Sequence, residues 1–115
     1  METNSELDLY IDSEDAVSRI GGNMSLYKRL LGRFIEGNHY EEIESSLLSG
    51  DNEAALRQVH SLKGVSANLS LVRIHSISVQ LEQLLKDGSV HSSCMEQLKQ
   101  AFQATTDVVS QIMAQ

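Results

Sequence analysis

Near the carboxyl end of the chain, Met95, Leu98, Phe102, Thr105, Val109 and Ile112 recur at alternating steps of three and four over more than two heptads. That rhythm places all six on one face of a long helix and is the spacing of helices that cross nearly antiparallel, at about 20°. A stripe of this length has to be covered by other helices, and the rest of the sequence supplies them. Leu26, Tyr27, Leu30, Leu31, Phe34 and Ile35 form one amphipathic run, and Tyr40, Ile43, Leu47 and Leu48 form another. Leu56, Val59, Leu62, Ser66 and Leu69 line a third, and Ile74, Ile77, Leu81, Leu84 and Leu85 a fourth.

The interruptions are helix stops. Gly37-Asn38, Ser49-Gly50-Asp51 and Asp87-Gly88 separate the runs, and the phase of the pattern shifts around Ser70. Ser93-Cys94-Met95-Glu96 has the form of a capping box opening the last helix. The chain has no proline, and no alternating Val/Ile/Thr run is bounded by hairpin turns, so no strand is predicted. Upstream, Asp12 or Ser13 caps a short helix with Glu14 and Asp15 in its first turn, ending near Ile20 before Gly21-Gly22. The expected fold is all-α: an up-and-down four-helix bundle preceded by one or two short N-terminal helices. Residues 1–10 read as a partly ordered lead-in, pinned through Leu7, Leu9 and Ile11, and residues 11–115 as one bundle domain.

A chain of 115 residues has room for one modest core. Aromatic content of 4% with no Trp makes that core aliphatic. The net charge of -7, with only nine Lys and Arg, argues against binding to nucleic acid or an anionic membrane surface, which needs clustered basic residues. No apolar run approaches the roughly 18 residues of a membrane span, and METNSELDLY lacks the features of a secretory leader. Cys94 is the only cysteine, which excludes an internal disulfide and suits a reducing compartment. A soluble, cytoplasmic monomer is expected.

The candidate chemistry lies in ALRQVHSLKGVSANL, residues 55–69. An exposed histidine is mostly neutral at pH 7 and carries a ring lone pair, so His60 is a competent nucleophile without a base. Phosphoryl transfer suits such a group, because catalysis there is mainly positioning and charge neutralisation. Lys63, one turn on, offers an ammonium to phosphoryl oxygens. Gly64 costs the helix about 1 kcal/mol relative to alanine, and with Ala67 it clears an approach to the imidazole; a close helix crossing would also explain the glycine. Glu36-x-x-His39 has the ExxH spacing of a di-iron ligand pair but stands alone and straddles a break. His75 and His91 lack a following Lys-Gly pair, Ser61 points away from its neighbouring His60, and Cys94 has no basic residue nearby to activate it. Glu41, Glu42 and Glu44 are read as a solvated face.

The run HSLKGVSANL, followed by Leu81-Glu82, resembles the signature of histidine-containing phosphotransfer (HPt) domains, and GGNMSLYKRLLGRF resembles the segment leading into these bundles. The similarity spans roughly residues 11 to 113. It implies that His60 is phosphorylated, that Lys63 stabilises the phosphoryl group, and that Glu82 orients the imidazole through one ring nitrogen. Gly64, Ala67 and Asn68 would receive the partner. The implied partners are response-regulator receiver domains, with a hybrid sensor histidine kinase as one source of the phosphoryl group. Mg²⁺ would sit on the receiver, and this chain would need no cofactor. No glycine-rich ATP loop is present, so autokinase activity is not expected. Ser70 departs from the glycine often found at this turn, which predicts an altered turn with Ser70 as a helix cap. A helical adaptor that binds partners without phosphorylation is the alternative, and burial of His60 would favour it.

Overall fold

A computed structural model gives the fold and describes residues 11, 15, 18 and 22–114. From residue 24 onward five α-helices follow one another: α1 (Met24–Glu36), α2 (His39–Leu48), α3 (Asn52–Asn68), α4 (Val72–Asp87) and α5 (Ser92–Met113). Among the described residues there is no strand. The helix α3 packs against α2 on one side and α4 on the other, α4 packs against α5, and α5 closes the circuit against both α1 and α2. Four helical positions thus ring one core, the first filled by α1 and α2 in succession.

The lead-in over residues 1–10 and most of the short helix expected near residues 12–20 lie outside the described residues. The run from Leu26 to Ile35 belongs to a 13-residue helix, longer than α2, and is a full member of the bundle. Ile11 is buried in the core, as its pinning role requires.

Local chemistry sets the helix ends. Asn23 accepts a hydrogen bond from the Leu26 amide at 2.9 Å, and Asp51 accepts one from Ala54 at 3.1 Å, so each caps the helix that follows it. Gly50 and Gly88 adopt left-handed φ values of 78° and 68° and close α2 and α4. The same closure ends α3, but there the left-handed residue is Ser70, at φ 54°. Leu71 donates its amide to Ser66 at 2.8 Å and Ser70 to Ala67 at 3.1 Å, the paired bonds of a Schellman turn. The turn is therefore the one a glycine would make, contrary to the altered geometry expected from the sequence. Ser70 does not cap α4 either; its hydroxyl donates to Asp15 Oδ2 at 2.6 Å, which ties the upstream segment to this corner.

Two further expectations change. The last helix begins at Ser92, with His91 before it, so Ser93 lies inside the first turn and forms no capping box. Leu48, counted in the α2 stripe, is 82% exposed because it is the last helical residue before the Gly50 turn. The core is mainly aliphatic, with Leu31, Leu62, Ile74, Leu81 and Leu98 among its buried residues. Tyr27 is fully buried there, and its hydroxyl donates to the Leu69 carbonyl at 2.9 Å, fastening α1 to the end of α3.

Candidate functional site

The three-residue connection Leu69–Leu71 makes α3 and α4 antiparallel neighbours, and the site is built between them. On α4 the inward face carries Ile74, Ile77, Ser78, Leu81 and Glu82. Glu82 thus continues the row Ile74–Ser78 at steps of four, and a carboxylate is carried to the edge of the core. Its side chain is only 8% exposed.

A buried carboxylate needs partners, and Glu82 has two on α3. Oε1 accepts a hydrogen bond from Lys63 Nζ at 2.7 Å, and Oε2 lies 2.8 Å from His60 Nδ1. The bond from Lys63, then that from His60, outweigh burial and hold the Glu82 carboxyl down at about 2, with the charges of Lys63 and Lys86 adding to the effect. An ionised carboxylate only accepts, so Nδ1 of His60 is the donor and carries the ring proton. The neutral ring then keeps its lone pair on Nε2, and the His60 side chain is 70% exposed. The arrangement presents one nitrogen as a nucleophile and locks the other.

Lys63 stands differently from its expected posture. Its ammonium is engaged by Glu82, and its backbone carbonyl accepts from Ser66 Oγ and from His75 Nδ1, each at 3.1 Å. His75 is accordingly a half-buried structural residue. Gly64 is exposed, and among the described residues a Cβ built on it would meet nothing within 4 Å. Among the described residues no helix crosses closely at this glycine, so none of them offsets its cost to α3. His60, Gly64 and Asn68 form an i, i+4 row with Asn68 exposed, while Ala67 beside them is half-buried.

Open clefts flank this row. One, of about 620 Å³, lies beside His60 and Glu82 and is lined by Leu56, Arg57 and Lys86. The other, of about 350 Å³, runs between α1 and the end of α3, with Leu30, Phe34 and Val65 facing Asn68. Sequence reasoning did not single out Arg57 or Lys86, nor the ion pair between Lys63 and Glu82. The signal for that pair was the inward row Ile74–Ser78–Glu82, since a carboxylate on a core row demands a cation opposite.

The remaining candidates fall elsewhere. His39 begins α2, where its ring stacks on Phe34 with centroids 4.6 Å apart, and burial lowers its pKa from the usual 6.5. Among the described residues no three His, Cys, Asp or Glu side chains cluster as metal ligands, so Glu36 and His39 find no further donors. Cys94 is buried, and desolvation pushes its thiol up. His91 precedes α5. Among the described residues no helix is long and apolar enough to cross a membrane.

A family model described as the Hpt domain matches residues 30–110, a span that contains His60, Lys63, Gly64 and Glu82. Comparison with curated proteins and with solved structures gave no match. Hpt domains are helical phosphocarrier modules of phosphorelays rather than enzymes in the usual sense. With a match over most of its length and an all-helical bundle that presents an exposed histidine, the chain belongs to the Hpt domain family.

Proposed function

We propose that His60 accepts a phosphoryl group from the aspartyl phosphate of a receiver domain and passes it to the aspartate of another response regulator. The observation that carries this reading is the pairing of an exposed imidazole with a buried carboxylate on its Nδ1, which leaves Nε2 free to attack. In the accepting step the Nε2 lone pair forms the P–N bond while the P–O bond breaks and its electrons return to the aspartate carboxylate. The transfer needs positioning and charge neutralisation more than proton chemistry. Glu82 positions the ring. Lys63, which shares the Glu82 carboxylate with His60, exchanges Glu82 for the phosphoryl oxygens once these arrive. Gly64, Ala67 and Asn68 receive the partner, which brings its own Mg²⁺ and aspartate.

The donor in this proposal is the receiver of a hybrid sensor histidine kinase or of a response regulator, and the chain acts as a monomer in the cytoplasm. A purely adaptor role would be favoured by a buried His60, and the side chain is exposed. Incubation with a receiver carrying labelled phosphate tests the proposal. Acid-labile, alkali-stable label on the wild type and none on His60→Gln is the expected result; equal labelling of His60→Gln overturns it.

A further inference from the structure

Resting on that reading, we infer that the buried carboxylate of Glu82 keeps one proton on Nδ1 of His60 through the whole transfer cycle, so that the phosphorylated ring stays cationic and departs from phosphorus as neutral imidazole.

In the resting site Nδ1 donates to Oε2 at 2.8 Å, and the Glu82 side chain is 8% exposed. When Nε2 takes the phosphoryl group, the ring holds phosphorus on one nitrogen and a proton on the other, and carries a positive charge. In water such a ring releases its proton near neutrality, as an unmodified imidazole does. The phosphoryl group would then be bound to a neutral ring that can leave only as an imidazolate, a far more basic and slower leaving group. With the Nδ1 proton retained, the P–N electron pair returns to Nε2, neutral imidazole is regenerated, and the phosphoryl group joins the acceptor carboxylate. No proton enters or leaves the ring in either direction.

The groups around the ring decide whether the proton stays. A hydrogen bond from a charged donor to a carboxylate is roughly twice as strong as one between neutral groups. Opposing it are Lys63, 2.7 Å from Oε1, and Arg57 and Lys86, which line the cleft beside His60; Glu53 in the same cleft adds to Glu82. Arg57 and Lys86 are exposed, so solvent screens them, whereas the Oε2 contact is a direct hydrogen bond to a carboxylate that is itself largely buried. The phosphoryl oxygens bring negative charge that offsets Lys63. The direct carboxylate contact therefore dominates, and a neutral amide at position 82 would supply the same orientation without the charge.

The test compares wild type and Glu82→Gln, each phosphorylated from a labelled receiver that is then removed. The ³¹P resonance of the phosphohistidine is followed between about pH 6 and 8, where a free imidazole changes its charge, beside that of a phosphorylated peptide covering residues 55–69. The wild-type resonance is expected to stay flat while those of Glu82→Gln and the peptide titrate. Near the upper end of the range the wild type should also lose phosphate several-fold faster than Glu82→Gln. A wild-type resonance that titrates together with the peptide overturns the inference, even if Glu82→Gln takes up no label. Wild type that takes up no label from the receiver counts against the proposed function instead.

Discussion

Nδ1 of His60 lies 2.8 Å from Oε2 of Glu82, a residue 22 positions away on the neighbouring helix. The contact converts a solvent-exposed ring, free to rotate about its side-chain bonds, into a nucleophile with one defined direction of attack. Glu82→Ala removes the acceptor and leaves the ring to sample several rotamers. Transfer from a phosphorylated receiver is expected to slow by about 10- to 100-fold, as misplacement of a reacting group does. Rapid-quench kinetics measure this, and a rate within twofold of wild type would contradict the positioning role.

Gly64 separates stability from function. Its backbone is not left-handed, and among the described residues a Cβ there meets no neighbour within 4 Å. Gly64→Ala should therefore stabilise the isolated domain by about 1 kcal/mol, the propensity difference between the two residues. Gly64→Gln should fold as well as wild type yet transfer more slowly, because on the proposed function its bulk would stand where the receiver docks. Urea denaturation and transfer rates on the two variants check both halves. Unchanged transfer in Gly64→Gln would remove the reason for the glycine.

The Lys63–Glu82 pair sets an acid limit. The folded carboxyl is held at about 2, below its usual 4.5, so its contribution to stability is complete above about pH 4.5 and is lost as pH falls through about 2. Lys63→Met removes the first cause of that depression. The variant should begin to lose stability at higher pH than wild type, measured as the midpoint of acid unfolding by circular dichroism. It should also transfer more slowly.

Much of this was legible in the amino-acid order, for a physical reason: helical periodicity and glycine stops are local. The stripe from Met95 to Ile112 and the left-handed Gly50 and Gly88 followed from neighbours a few residues apart. His60, Lys63 and Gly64 could be picked out because their chemistry sits within five residues. The bond from Lys63 to Glu82 joins residues 19 apart, and no periodicity reports which cation a buried carboxylate will find. The Ser93 capping box failed because the helix starts one residue before Ser93, at Ser92 after a four-residue connection from α4, which leaves Ser93 a first-turn residue rather than the cap.

Ser70 carries a conformation that glycine adopts without strain, and it offsets part of the cost through its bond to Asp15. Ser70→Ala keeps the left-handed backbone and loses the hydroxyl, so it should destabilise by about 1–2 kcal/mol. Ser70→Gly relieves the backbone as it loses the bond and should lie within about 1 kcal/mol of wild type. Thermal unfolding of the two variants orders them, and Ser70→Ala at or above Ser70→Gly would contradict the turn assignment.

The central claim is that one histidine, His60, carries the phosphoryl group. Mass-spectrometric mapping of the chain after exposure to a phosphorylated receiver, under alkaline conditions that preserve phosphohistidine, tests it most directly. The account predicts a single phosphorylated residue, His60, with His39, His75 and His91 unmodified. A phosphoryl group on any of those three, with His60 bare, would contradict it.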